Sequence, residues 1–277
     1  MPDRVYFDTV VFRAVGKAFE KNSLASDLMD RIIISPLTLF EVWSQLTITN
    51  ADEILRQIHS VSNWANPTHT GLLRWPDDAL FEIWFQKSPP DDGCTERMQR
   101  AFNTCLATSS VKSLQVEAGQ LKDAIDRMNQ QTADNFRHLL EAARKNPLEP
   151  EKASEAWFQG IANRVMADSK SRSLSEIVST LNAYHEFEMS KLQVAMQNKD
   201  YNPEKHKNDL LDAEQLIYLS DASMCFLTCD TGFRNLVRKS PQAKRIITAS
   251  LAELADAPKI EGLLRKNIPI APASKIT

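Results

Sequence analysis

The sequence predicts an α/β protein built around a mostly parallel sheet, interrupted by a long helical stretch. Three observations lead there. Four short apolar runs, Val5-Tyr6-Phe7, Ile32-Ile33-Ile34, Met224-Cys225-Phe226-Leu227-Thr228 and Ile246-Ile247, are continuous rather than alternating. That pattern suits strands covered on both faces. Three of the runs end at a polar or acidic residue followed by helix-forming sequence, the place where open α/β sheets carry their sites. Residues 96–145 are rich in Gln, Ala, Leu, Glu, Lys and Arg with few β-branched runs, which reads as long helix.

In chain order, residues 1–50 supply two strand–helix units, and residues 205–277 supply two more. Between them, residues 51–204 read as a mostly helical insertion of about 150 residues, within the size of a domain. Pro67, Pro76 and Ser88-Pro89-Pro90-Asp91-Asp92-Gly93 mark loops near its start. Leu121, Ile125, Met128 and Thr132 share one helical face. Asn146-Pro147-Leu148-Glu149-Pro150 marks a break, after which residues 151–199 resume the helical pattern. Tyr201-Asn202-Pro203 marks the return to the α/β part.

Bulk properties exclude several classes. The 277 residues are 43% hydrophobic and 25% charged, as in ordinary globular proteins. No run approaches the roughly 18 apolar residues of a membrane span. The start of the chain shows no apolar signal segment, so a cytoplasmic location is expected. Cys94, Cys105, Cys225 and Cys229 match neither a disulfide scaffold nor a zinc knuckle and are expected to be reduced thiols. The formal charge of −3 argues against nucleic-acid binding by bulk charge, while leaving room for a local basic patch.

The chemistry-bearing residues are acids. Asp8 ends the first strand; an Asp there is commonly a helix cap, and capping is the plain alternative to a catalytic role. Glu41 follows Ser35-Pro36-Leu37-Thr38-Leu39-Phe40, about two turns into a helix that Ser35 or Thr38 would cap and whose first turn suits Pro36. An acid between Phe40 and Val42 is costly to bury unless something compensates it; the bland alternative is a half-exposed helical Glu. Asp209 and Asp212 are three apart and share a helix face, where they would either favour the helix dipole or point together at a site. Asp230 lies in Thr228-Cys229-Asp230-Thr231-Gly232, again either a capping turn or a site, with Thr228 placed to orient a carboxylate. Clustered acids suit a hard divalent cation, Mg²⁺ or Mn²⁺, which activates water and neutralises charge on a phosphate. The chain carries no Gly-x-Ser-x-Gly elbow, no P-loop, no Gly-x-Gly-x-x-Gly run and no His-Glu-x-x-His helix.

Four segments, Tyr6-Phe7-Asp8-Thr9, Ser35 through Glu41, Asn208 through Ala213, and Leu227-Thr228-Cys229-Asp230-Thr231-Gly232-Phe233, resemble the PIN-domain nucleases, a family that includes toxins of bacterial toxin–antitoxin pairs. The resemblance covers roughly residues 3–50 and 205–250. It implies a three-layer α/β/α fold and a metal-dependent endoribonuclease leaving 5′-phosphate and 3′-hydroxyl ends. Asp8, Glu41, Asp212 and Asp230 match the family's four acids, with Asp209 a further acidic ligand and Thr9 and Thr228 in support. It also implies RNA as substrate and an antitoxin or other regulatory protein as partner. Two departures stand out: Val10, where the family often has a small polar residue, and the long middle stretch, which compact members lack.

Lys205, His206, Lys207, Arg234 and Arg238, with Lys244 and Arg245, are candidates for RNA backbone contacts; the bland alternative is an ordinary solvated surface. Trp64, Trp75, Phe81, Trp84 and Phe85 are assigned to core rather than to base stacking, because Phe81, Trp84 and Phe85 fall at helical spacing. Two other functions stay open. One is a non-catalytic PIN-like module that binds RNA or protein, with Asp8 and Asp230 as caps. The other is a haloacid-dehalogenase-like phosphatase, which is disfavoured by Val10 at the position where that chemistry wants a second acid. Self-association through helices is also compatible with the sequence.

Overall fold

A computed structural model describes residues 2–20, 28, 30–47, 50–64, 72–90, 94–108, 110–145 and 149–268. Three of the four apolar runs form one parallel sheet. It comprises β1 (Arg4–Phe7), β2 (Met224–Thr228) and β3 (Ile246–Thr248), in the order β1-β2-β3. Tyr6 lies opposite Phe226, and Phe226 opposite Ile246.

The fourth run, Ile32–Ile34, does not build a ladder. Ile32 meets Val5 in one parallel bridge and Ile34 meets Leu72 in another, with Val5 N–H donating to the Arg31 carbonyl at 2.8 Å and Ile33 N–H to that of Val5 at 2.9 Å. The extended stretch is cut short because helix α2 (Pro36–Ser44) begins at once, with Ser35 as N-cap and Pro36 in its first turn. Proline there loses no hydrogen bond, and its fixed φ suits a helix start.

The continuous apolar character of the strands has a direct cause. Side chains alternate between the faces of a strand, and both faces are covered. Val5, Phe7, Cys225, Leu227 and Ile247 join one buried cluster with Val11, Phe12 and Val15 of α1 (Thr9–Phe19), Ile54 and Ile58 of α3 (Ala51–Trp64), and Ile260 and Leu264 near the end of the chain. Tyr6, Met224, Phe226 and Ile246 join a second cluster with Trp84, Phe158, Leu181, Phe187 and Leu216. The result is a mostly helical α/β/α architecture around a small parallel sheet.

The middle stretch is helical, as expected, but more finely divided. Its elements are α3, α4 (Pro76–Phe85), α5 (Cys94–Ala107), α6 (Val111–Lys145), α7 (Pro150–Arg164), α8 (Leu174–Thr180) and α9 (Asn182–Gln197). The long-helix expectation over residues 96–145 thus resolves into α5 and α6. Pro76, expected in a loop, opens α4 from its first turn, the one helical position that tolerates proline without loss. Pro67, Asn146, Pro147, Leu148 and Asp91-Asp92-Gly93 lie outside the described residues, as does the side chain of Trp64. Trp84 is buried, Phe81 and Phe85 pack beside it, and Trp75 packs edge-on to Phe40, so these aromatics belong to the core. Helices of this stretch share both clusters with the strands. Among the described residues, no helix is long and apolar enough to cross a membrane.

One close approach sets the position of α1, whose N-terminus carries Asp8. At Gly16 an added Cβ would lie 2.8 Å from both the Cβ and the carbonyl oxygen of Gln57 on α3. Gly16→Ala should therefore lower Tm, although alanine is the better helix former, because overpacking costs about 1–3 kcal/mol. At roughly 2–4 °C per kcal/mol the loss is readable by calorimetry. An unchanged or higher Tm would show that α1 and α3 do not touch there.

Candidate active site

Parallel strands end on the same edge of a sheet, and this edge gathers the acids. Asp8 directly follows β1, Asp230 follows β2, and Glu41 sits in α2, which begins just after the Ile34 bridge. Asp212 closes α10 (Lys207–Asp212), next to the 3₁₀ segment Ala213–Ser220. All four line one cavity of about 570 Å³, together with Thr9, Asn129, Asn208, Gln215 and Cys229. No Lys, Arg or His lines it among the described residues.

Neutral groups hold the acids. Asp8 Oδ1 accepts from Val11 N–H at 2.7 Å, so Asp8 is the N-cap of α1. Its Oδ2 accepts from the Thr228 hydroxyl and from Cys229 N–H at 3.2 Å. The Thr228 oxygen in turn accepts from Asp230 N–H at 2.9 Å, so one hydroxyl ties both strand-end acids together. Asp230 Oδ1 accepts from Gly232 N–H at 2.6 Å and caps α11 (Thr231–Leu236). The Thr9 hydroxyl donates to Glu41 Oε2. The capping roles weighed for Asp8 and Asp230 are therefore present, and both residues face the cavity at the same time.

The electrostatics follow from burial without cations. Burial, and then repulsion from Asp230, raises the Asp8 pKa, against the lowering effect of its hydrogen bonds from Thr228, Val11 and Cys229. Glu41 is raised by burial and by Asp8, with Thr9 opposing. Asp212 is pushed well above the usual carboxylate range, first by burial and then by Glu41, Asp8, Asp209 and Asp230. Burial pushes the Cys229 thiol up to about 11, so it is protonated at neutral pH and is no thiolate nucleophile. The donor set is oxygen-rich and unneutralised, which is the chemistry a hard divalent cation requires. Among the described residues, no three His, Cys, Asp or Glu side chains are gathered tightly enough to hold a metal ion directly.

The other expected site residues fall elsewhere. Asp209 is absent from the cavity lining and instead pairs with the buried Lys191 and, at 3.2 Å, with His206 Nδ1. His206 also stacks on Tyr201. Lys205, Arg234 and Arg238 are exposed and outside the cavity; the side chain of Lys207 is not among those described. Lys244 and Arg245 precede β3 and so lie at the opposite end of the sheet from the acids. Arg245 is occupied by the main-chain carbonyls of Leu219, Asp221 and Met224, so it is a structural tie rather than a phosphate contact near the site.

Sequence reasoning missed the wall that α6 contributes through Ile125, Asp126 and Asn129. It also missed Gln215, buried between Glu214 and Leu216. A single polar residue within an apolar run, as at Thr38, is the signal that flags a buried polar contact; Gln215, beside Glu214, lacks it. No protein-family model matches the chain, and neither a curated protein nor a solved structure matches it.

The raised Asp212 pKa has a signed consequence. A carboxyl whose folded pKa exceeds its unfolded value contributes stability below the unfolded pKa and loses it as pH rises through the folded one. Without divalent metal, Asp212→Asn should therefore melt higher than wild type at about pH 8, and the gap should shrink toward about pH 4, where the unfolded-state carboxyl also begins to protonate. A gap that stays constant or grows toward acid pH would contradict the assignment.

Proposed function

We propose that the protein is a metal-dependent endoribonuclease of PIN-like design. The observation that carries this is the convergence of Asp8, Glu41, Asp212 and Asp230, from four separate segments, on one cavity that no cationic side chain lines among the described residues. These are the four acids that match the PIN motifs, and their order along the chain is the same.

Asp8, Glu41, Asp212 and Asp230 would hold Mg²⁺ or Mn²⁺. When bound, such an ion supplies a lowered pKa for water and neutralises charge on the reacting phosphate. Mg²⁺ commonly keeps several of its waters and uses only one or two carboxylates directly, so the four acids need not all touch the ion. Within this chain, Thr228, Cys229 N–H and Val11 N–H fix the Asp8 carboxylate, and Thr9 fixes Glu41. The raised pKa of Asp212, caused by burial and the neighbouring acids, is what a bound cation would relieve. The exposed Lys205, Arg234 and Arg238 are available to the RNA backbone. The products would be 5′-phosphate and 3′-hydroxyl ends, and a regulatory protein of antitoxin type would be a natural partner.

A second reading rests on the caps. Because Asp8 and Asp230 each cap a helix, a non-catalytic module that binds RNA or protein would keep them for structure alone. A phosphatase of haloacid-dehalogenase type is disfavoured, since Val10 stands where its second acid would be.

Cleavage of total cellular RNA by the purified protein separates these readings. Asp8→Asn is the apt control, because asparagine caps a helix about as well as aspartate and so preserves the cap of α1. Discrete cuts that need Mn²⁺, stop with EDTA and vanish in folded Asp8→Asn are the expected result. Equal behaviour of the two proteins would support the binding module, and hydrolysis of small phosphomonoesters without RNA cleavage would support the phosphatase.

A further inference from the structure

Three segments that each carry one of the acids are joined by a buried relay of neutral hydrogen bonds. The Gln215 side chain donates from Nε2 to Thr38 Oγ1 at 3.0 Å. The Thr38 hydroxyl donates to the carbonyl of Phe7 at 2.6 Å. The Tyr6 hydroxyl donates to the carbonyl of Gln215 at 2.6 Å, closing the circuit between β1 and the 3₁₀ segment. Thr38 and Tyr6 are fully buried and Gln215 is 3% exposed.

Each member sits a fixed step from an acid. Phe7 directly precedes Asp8, Thr38 is one helical turn before Glu41, and Gln215 is about one turn after Asp212. A hydroxyl has one proton to give and can accept as well, so Thr38 uses both capacities and its direction is fixed. The carboxylates repel one another, and nothing cationic lining the cavity among the described residues draws their segments together. The relay does so without involving any carboxylate. Gln215 Oε1 has no hydrogen-bond partner among the described residues. A buried polar group left half-satisfied is expensive, and here it accompanies a link that crosses 177 positions of sequence.

We propose that Thr38 and Gln215 are positioning residues that set the spacing of Asp8, Glu41 and Asp212 for a divalent cation. This rests on the nuclease reading only for its metal, and its test reads metal binding rather than cleavage. Neither residue is proposed to touch the ion.

The test is Mn²⁺ binding by calorimetry, with a thermal melt of each metal-free protein. The proteins are wild type, Thr38→Val, Thr38→Ser, the double variant Thr38→Val with Gln215→Leu, and Asp8→Asn. Valine keeps the shape of threonine and removes both Thr38 bonds of the relay. Outer-shell partners of metal sites typically carry a roughly 10–100-fold effect on affinity, and that loss is expected for Thr38→Val. Serine keeps the hydroxyl and should restore wild-type affinity. Replacing both partners by apolar groups removes the stranded amide, so the double variant should regain Tm while its Mn²⁺ affinity stays low. Wild-type affinity in folded Thr38→Val, or affinity that simply follows Tm across the series, would overturn the proposal and leave the metal site standing. If wild type takes up no Mn²⁺, or Asp8→Asn takes it up equally well, the metal site itself falls and this inference with it.

Discussion

Five carboxylates line one cavity that no cationic side chain lines among the described residues, and much of the surrounding structure answers to the mutual repulsion of four of them, Asp8, Glu41, Asp212 and Asp230. An ionised carboxylate taken out of water needs partners, and here they are neutral. Val11 N–H, Cys229 N–H, Gly232 N–H and the hydroxyls of Thr9 and Thr228 all donate toward the acids. Two of those backbone donors, Val11 and Gly232, belong to first turns of helices, where the peptide dipoles also favour negative charge. These contacts stop short of neutralising the group, which is why Asp8, Glu41 and Asp212 all stay above their ordinary proton affinity. The cavity is thus built to favour either a proton or a cation.

The sheet is what makes such a gathering reachable. Parallel pairing of residues near position 5 with residues near position 225 brings two strand ends together across most of the chain. Asp8 and Asp230 then project from one edge. Pro36 starts α2 close to that edge and brings Glu41 into reach. The helices from the middle of the chain pack against both faces of the sheet, and α6 lays Ile125, Asp126 and Asn129 along the cavity. Access to the acids is therefore shaped by a helix distant in sequence from all of them, and α6 also packs against the helices that carry Glu41 and Asp212.

The legible features were those set by local chemistry. Continuous apolar runs marked the strands because both faces are buried, and the strand-end acids share one cavity because parallel strands end together. Capping could be read at Asp8 and Asp230 from residue type alone. What escaped depended on partners remote in sequence. Asp209 shares a helix face with Asp212, yet it pairs with the buried Lys191 and lies within hydrogen-bond distance of His206 instead. Arg245 looked like a phosphate contact until its guanidinium was seen to gather main-chain carbonyls at the far end of the sheet. Ile32–Ile34 had strand composition, but the helix start at Pro36 left it only single bridges. Thr38 carried a local mark, one polar residue inside an apolar run, while Gln215, beside Glu214, carried none.

The central claim is that these acids form a cation site, and the most direct test is positional. Crystals grown with Mn²⁺ and measured for anomalous scattering should show a peak inside the cavity, bordered by Asp8, Glu41, Asp212 and Asp230 directly or through ordered water. A cavity without a peak at saturating Mn²⁺, or a peak held only by acids elsewhere on the molecule, would contradict it.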